Sequence, residues 1–245
     1  MLTIDILTLF PDSVSGVLND SIIGKGINRG YLDIKCHQIR DYTLSKQSRI
    51  DDTPYGGGFG MLMQADPLFN AHSAVLKMRG ISHIKTILTT PQGKVFSQID
   101  AKRFALEDNL IIVCGHYEGI DQRFIDECVD EEISLGDYVL TGGEIAALAI
   151  SDAVGRLIPG VLADESCFTE ESHWNGVLEY PQYTKPAIWN GRRVPEVLTS
   201  GNHSDIAEWR REQSLIKTAR LRPDLFEKLK LSPKEAEQYK NKTCL

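Results

Sequence analysis

Residues 114–154 restrict the fold of this chain more than any other stretch. They read CGHYEGIDQRFIDECVDEEISLGDYVLTGGEIAALAISDAV. A strand over residues 110–114 runs straight into Gly115-His116-Tyr117-Glu118-Gly119. A second apolar segment, residues 133–135, runs into Gly136-Asp137-Tyr138-Val139-Leu140-Thr141-Gly142-Gly143-Glu144. A helix apolar nearly all round follows over residues 145–154. Two glycine-bearing loops therefore follow two strands. Glycine lets the backbone come close to a ligand and show it N–H and C=O groups. Loops at the carboxyl ends of strands are where open α/β sheets bind ligands. One glycine pair would read as an ordinary tight turn; two such loops within about thirty residues read as a ligand site. The spacing fits neither G-x-G-x-x-G nor G-x-x-x-x-G-K-[ST], which argues against a dinucleotide or nucleoside triphosphate.

The rest of the chain alternates strand and helix patterns. Residues 2–10 and 31–39 read as strands, with short helices over 13–18 and 21–28 between them. Residues 66–78 and 99–105 read as helices and 85–89 as a strand, with Thr90-Pro91-Gln92-Gly93-Lys94 as a turn. This alternation predicts an α/β fold with a mainly parallel sheet. Four glycines within residues 56–60 can hold neither helix nor central strand, and suit a backbone that must lie close to a ligand or nucleic acid. Residues 159–175 lack periodic apolar positions and read as a linker. The remainder is helical: residues 202–217 with Ser204 or Asp205 as N-cap, and a capping box at Ser232-Pro233-Lys234-Glu235. The expected division is 1–160, a linker over 161–175, and 176–245.

Charge follows that division. Residues 176–245 hold 13 Lys and Arg against 9 Asp and Glu; the first 175 residues hold 14 against 25. An acidic body with a basic tail suits a protein whose tail meets a polyanion. Five cysteines, at 36, 114, 128, 167 and 244, include no C-x-x-C, which points to a reducing cytoplasm and no zinc site. Cys114 reads as packing rather than nucleophile. No run of about eighteen apolar residues predicts a membrane span. The first residues, with Asp5 inside the apolar run, read as a strand rather than a signal peptide.

GHYEGID followed by SLGDYVLTGGE closely resembles the bacterial tRNA (guanine-N1)-methyltransferase family, TrmD, of the SPOUT class. The resemblance continues through DDTPYGGGFGM, TPQGK, PQYTKP, LTSGNH and Trp209-Arg210, and so covers nearly the whole chain. It implies a deep trefoil knot over residues 114–154, which patterning alone does not suggest because threaded chains are rare. It also implies a tRNA-binding helical C-terminal domain, and a homodimer whose active sites are built from both chains. The implied methyl donor is S-adenosylmethionine, held by Leu88, Thr89, Pro91, Gly115, Tyr117, Glu118, Ser134, Leu135, Gly136, Tyr138, Leu140 and Gly142. Asp137, Ser172, Lys185, Asn202, His203 and Arg210 are the implied tRNA contacts. Mg²⁺ is a candidate cofactor, with Asp51-Asp52 as its candidate site and no ligand set assigned.

The implied reaction moves a methyl group to N1 of the guanine immediately 3′ of the anticodon. Guanine N1 carries a proton at neutral pH, so the reaction needs a base there and a donor for the charge developing on O6. The resemblance places the base at Glu171, with Glu170 and Glu165 as fallbacks, and the O6 donor at Arg156. The family uses Asp at the position of Glu171. The added methylene shifts the carboxylate by about 1 Å on a fixed backbone, a displacement that can cost about 10²-fold. Thr53 and His116 stand where the family has Arg, and Phe59 where it has Pro. Competing readings are a ribose 2′-O-methyltransferase of the same fold and a non-catalytic RNA-binding relative.

Overall fold

The computed structural model describes residues 1–164 and 166–242. It divides into two compact units, Met1–Glu165 and Ser166–Leu245. In the first, the elements run β1 (Leu2–Thr8), α1 (Pro11–Leu18), α2 (Ser21–Asn28), β2 (Leu32–Gln38), β3 (Asp51–Asp52), β4 (Leu62–Met63), α3 (Ala65–Arg79), β5 (Lys85–Val95), α4 (Gln98–Phe104), β6 (Asn109–Cys114), α5 (Gln122–Cys128), β7 (Glu131–Ser134) and α6 (Glu144–Gly155). Five strands form one sheet in the order β2-β1-β6-β5-β7, every neighbouring pair parallel. The expected α/β class and mainly parallel sheet are both found.

Helices cover both faces of the sheet. On one face α3 and α5 pack Leu68, Ala71, Val75 and Phe124 against Leu7, Leu88, Ile111 and Val113. On the other, α6 packs on β1 and β6 with α1, α2 and α4 beside it. Each side chain fully buried this way contributes about 1.5–3 kcal/mol. β1, LTIDILT, is buried along its whole length, as a strand covered on both faces must be. Its one charge, Asp5, is fully buried. Arg79 at the end of α3 reaches both Asp5 oxygens, Nε at 2.8 Å and Nη2 at 3.1 Å. His37 Nε2 lies 2.7 Å from the same carboxylate, and Arg79 Nη1 also holds Asp33 at 2.6 Å. Burial pushes the Asp5 carboxyl up, but the hydrogen bonds from His37 and Arg79 and the guanidinium charge hold it below its ordinary value.

β5 departs from the reading of a five-residue strand followed by a turn. It resumes after a detour: Ile133 pairs with Thr89 and again with Lys94, so four residues bulge out of the ladder. Gly93 permits this, because a Cβ there would lie 2.4 Å from the backbone of Glu132 and Ile133. The far end of the bulge is pinned by Asp100, which accepts from Lys94 Nζ at 2.6 Å, from Ser97 Oγ at 2.6 Å and from Arg103 at 3.3 Å. Burial raises the Asp100 carboxyl, and these three partners outweigh it, bringing the pKa down to about 2. A carboxylate depressed this far below its unfolded value stabilises the fold by about 2 kcal/mol above pH ~4, and loses that contribution as pH falls through the folded value. Urea unfolding of wild type and Asp100→Asn should therefore differ at pH 6 and converge as the pH approaches 2. A difference that stayed constant with pH would contradict this.

The second unit contains α7 (Ser166–Thr169), β8 (Ile188–Trp189), β9 (Arg192–Arg193), α8 (His203–Leu221), α9 (Pro223–Phe226) and α10 (Pro233–Asn241). α8 is capped by Asn202, whose side chain accepts from Ser204 N–H, and not by Ser204 or Asp205. The Ser232–Glu235 capping box is present in α10. The stretch expected as a linker carries α7 and a turn in which Phe168 and Trp174 pack with ring centroids 4.8 Å apart.

Candidate active site

The carboxyl ends of β5, β6 and β7 open into one cleft of about 320 Å³. Three chain segments wall it: the bulge of β5, the loop after β6 and the loop after β7. The loop after β6 turns sharply at Tyr117 (φ 59°) and Gly119 (φ 135°), with Gly119 N–H donating to His116 O at 3.2 Å. The loop after β7 is folded on itself by Ser134, whose Oγ donates to Gly136 O at 3.0 Å and accepts from Gly136 N–H at 3.1 Å. It then crosses to the first loop, where Gly143 N–H donates to Gly115 O at 2.9 Å.

Gly143 makes this crossing possible. A Cβ there would fall 2.1 Å from Thr89 Oγ1, 2.7 Å from Cys114 Cα and 2.9 Å from Gly115 N. Thr89 Oγ1 lies 3.1 Å from Val113 O and 3.3 Å from Gly143 O, which joins all three segments beneath the cleft. A polar chain runs alongside: Thr8 Oγ1 donates to Glu144 Oε1 at 2.7 Å, and Glu144 Oε2 lies 3.0 Å from His116 Nε2. Gly142 has no side chain because His116 Nε2 and Glu144 Oε2 occupy the space its Cβ would need, at 2.2 and 2.5 Å. Below, Cys114 is fully buried, and burial with the nearby Glu144 pushes its thiol well above the ordinary range. It packs, as its place in the strand suggested.

Eleven of the residues assigned to the methyl donor line this cleft: Leu88, Thr89, Pro91, Gly115, Tyr117, Glu118, Ser134, Leu135, Tyr138, Leu140 and Gly142. Gly136 does not; it lies in the Ser134 turn, with φ 153°. The described lining holds two carboxylates, Glu118 and Glu132, and no Lys or Arg. Such a cleft suits a neutral or cationic ligand with apolar and hydrogen-bonding faces, and its described lining offers no Lys or Arg to pair with a phosphate.

The glycine-rich segment joins the site from the side. Gly56, Gly57, Gly58 and Gly60 all have positive φ, and Tyr55 before them and Phe59 among them are fully exposed. Its base is tied to the loop after β6: Glu118 N–H donates to Met61 O at 3.1 Å and Met63 N–H to Gly119 O at 2.9 Å. Asp52 accepts from Thr53 N–H at 2.8 Å. Among the described residues no three His, Cys, Asp or Glu gather as metal ligands.

The remaining site residues lie elsewhere. Asp137 is exposed on the loop after β7, outside the cleft lining, and Arg156 is the half-buried C-cap of α6. In the second unit Glu171 sits in the turn after α7, its N–H donating to Phe168 O at 3.3 Å and its C=O accepting from Trp174 N–H at 3.2 Å. Ser172 Oγ accepts from Glu179 N–H at 3.0 Å. Lys185 and His203 are exposed, and Asn202 is occupied as the α8 cap. Arg210 stacks over Tyr180, 4.8 Å from the ring centroid. Glu170 accepts from the Tyr180 hydroxyl at 3.4 Å. Glu165 lies outside the described residues. The Thr8–Glu144–His116 chain was missed by sequence reasoning, since its members are 28 and 136 positions apart and no periodicity links them.

Comparison with known proteins points the same way. The model of the family described as tRNA (Guanine-1)-methyltransferase TrmD matches residues 2–228. A tRNA (guanine-N(1)-)-methyltransferase of Ruminiclostridium cellulolyticum is 51% identical over 226 residues, covering 92% of this chain and 96% of its own. Proteins of the same name from Alkaliphilus oremlandii and Clostridium perfringens are each 51% identical, over 98% of this chain and 99% of theirs. With a matched family model across most of its length and relatives at half identity end to end, the chain belongs to the tRNA (guanine-1)-methyltransferase TrmD family.

Proposed function

We propose that this enzyme transfers a methyl group from S-adenosylmethionine to N1 of the guanine immediately 3′ of the anticodon in tRNA. The observation that carries this is the cleft: three crossing segments, open backbone groups, two carboxylates and no described cation. Bound there, S-adenosylmethionine supplies an electrophilic methyl on a sulfonium whose positive charge the cleft tolerates. Tyr117 and Leu140 pack the adenine, backbone groups of Gly115, Leu135, Tyr138 and Gly142 meet its edge and ribose, and Glu118 attracts the cationic end.

Glu171 takes the proton from guanine N1, freeing the lone pair for the methyl. Arg156 donates a charge-assisted hydrogen bond to O6, where negative charge develops. Asp137 and Ser172 read the guanine, and Lys185, Asn202, His203 and Arg210 hold the RNA. These groups belong to two compact units, and in the proposed assembly, a cytoplasmic homodimer with the knotted SPOUT topology, each site draws on both chains. Support for the dimer comes from α6, an apolar helix that keeps Ile145 58% exposed and needs cover on that side. Among the described residues no helix is long and apolar enough to cross a membrane.

The test uses labelled S-adenosylmethionine and two unmodified tRNA transcripts that differ only in G or A just 3′ of the anticodon. Label confined to the G transcript, at N1, is the expected result. Label on both would place the chemistry on ribose or another site. Label on neither, with the donor bound, would leave an RNA-binding protein.

A further inference from the structure

Residues 183–195 carry a feature that the proposed reaction does not use. β8 and β9 form a two-stranded ribbon closed by Asn190-Gly191, both left-handed (φ 48° and 74°). That is the hairpin turn whose twist matches its strands. Trp189 pairs with Arg192 and Ile188 with Arg193, and Val194 N–H donates to Ala187 O at 2.9 Å. Side chains alternate along a strand, so Trp189 and Arg192 share one face and Ile188 and Arg193 the other.

The ribbon is exposed, and Trp189 keeps 69% of its surface in water. A tryptophan this open contributes little to the ribbon's own packing. Residues 183–195 hold Lys185, Arg192 and Arg193 and no Asp or Glu. An indole face beside a guanidinium, on a segment carrying three cations, matches one unpaired nucleotide. The indole offers a surface to the base, and the guanidinium a fork to its phosphate. An acidic protein segment would satisfy the cations but not the flat ring.

We propose that the Trp189–Arg192 face is a stacking site for one unpaired nucleotide of the RNA substrate, outside the methylated guanine, with Arg192 on the adjacent phosphate. The proposal rests on the tRNA reading above for the identity of that RNA. It assigns to the ribbon a share of RNA affinity and none of the chemistry.

The full-length enzyme with unmodified G transcript tests it. Trp189→Ala should raise KM for tRNA roughly tenfold, within the range for loss of one base–aromatic stack. kcat and S-adenosylmethionine affinity should stay within twofold. Trp189→Phe should keep KM near wild type, because the stack survives. RNA should quench tryptophan emission in wild type, and that quenching should shrink in Trp189→Phe. Arg192→Ala should lower the slope of log affinity against log salt by about one, and Arg192→Lys should restore it. KM unchanged in Trp189→Ala would overturn the stacking site even if methylation proceeds normally. Equal KM increases in Trp189→Phe and Trp189→Ala would overturn it too, as would emission that shifts with protein concentration instead of RNA. If wild type methylates neither transcript, the proposed reaction fails, while quenching at Trp189 by RNA would still uphold the ribbon.

Discussion

Glu171→Ala should slow methyl transfer by about 10²- to 10⁴-fold, the usual worth of a positioned base, and leave S-adenosylmethionine affinity within twofold. The separation of the two effects follows from the architecture. The cleft is built wholly from the first unit, and Glu171 belongs to the second. Its backbone is held at both ends of a turn by Phe168 O and Trp174 N–H. Glu171→Gln keeps the shape and removes the basicity, and should be nearly as slow as alanine. Glu171→Asp keeps the basicity and withdraws it by one methylene, and should retain far more rate than either. Glu170→Ala, at the neighbouring fallback position whose carboxylate accepts from the Tyr180 hydroxyl, should stay within a few-fold of wild type. Single-turnover rates at saturating donor separate these from binding. A Glu171→Ala enzyme within threefold of wild type would remove Glu171 from the mechanism.

The second large effect is steric. Gly143→Ala should destabilise the enzyme by about 1–3 kcal/mol, as overpacked sites do, and weaken S-adenosylmethionine binding at least tenfold. Gly143 has φ −81°, which alanine adopts freely, so backbone strain is not the cause. Its added methyl would meet Thr89 Oγ1 and the backbone of Cys114 and Gly115 at 2.1–2.9 Å. None of these can withdraw, because Thr89 is bonded beneath the cleft and Cys114 ends a central strand. The crossing segments must separate, and the cleft wall moves with them. Gly80→Ala is the opposite case: φ 70° with nothing within 4 Å of the new methyl. It should cost stability through strain alone and leave donor affinity unchanged. Isothermal titration of the donor with both variants decides it. A Gly143→Ala protein that binds like wild type would show that the crossing is slack.

Much of this was legible beforehand because local patterns sufficed. β1 and β6 announced themselves as short apolar runs and β2 by its alternation, and the glycine loop after β6 as the interruption that follows; β7, EEIS, spans Glu131–Ser134 rather than the apolar segment 133–135, because its first two residues are charged. What escaped depended on distance or on competing signals. α5 is seven residues long, too short for a periodicity to show, though Asp121 caps it by accepting from Arg123 N–H. Three residues able to cap, Asn202, Ser204 and Asp205, stand within four positions at the start of α8, and hydropathy could not choose Asn202 among them. The ribbon at Asn190-Gly191 did carry a recognisable turn pair, but its two-residue strands left no alternation to confirm it. The His116–Glu144–Thr8 chain had no local signature, because tertiary folding alone brings its members together.

Asp5 has a consequence beyond the charges it gathers. β1 is buried on both faces, with Leu2, Ile4 and Ile6 on one and Thr3, Asp5 and Leu7 on the other, and a strand displaced by two residues against its neighbours would keep each side chain on the same face. On the Leu2, Ile4 and Ile6 face hydrophobic burial would scarcely distinguish the two alignments. Only one of them sets a carboxylate opposite Arg79 and His37, and a misaligned Asp5 would be buried unpaired, at a cost of about 3–5 kcal/mol. The buried acid thus works as a key cut into the strand, rejecting the nearest wrong fits. By the same logic the positions of Asp5, His37 and Arg79 should drift together over evolutionary time, since changing any one alone spoils the lock.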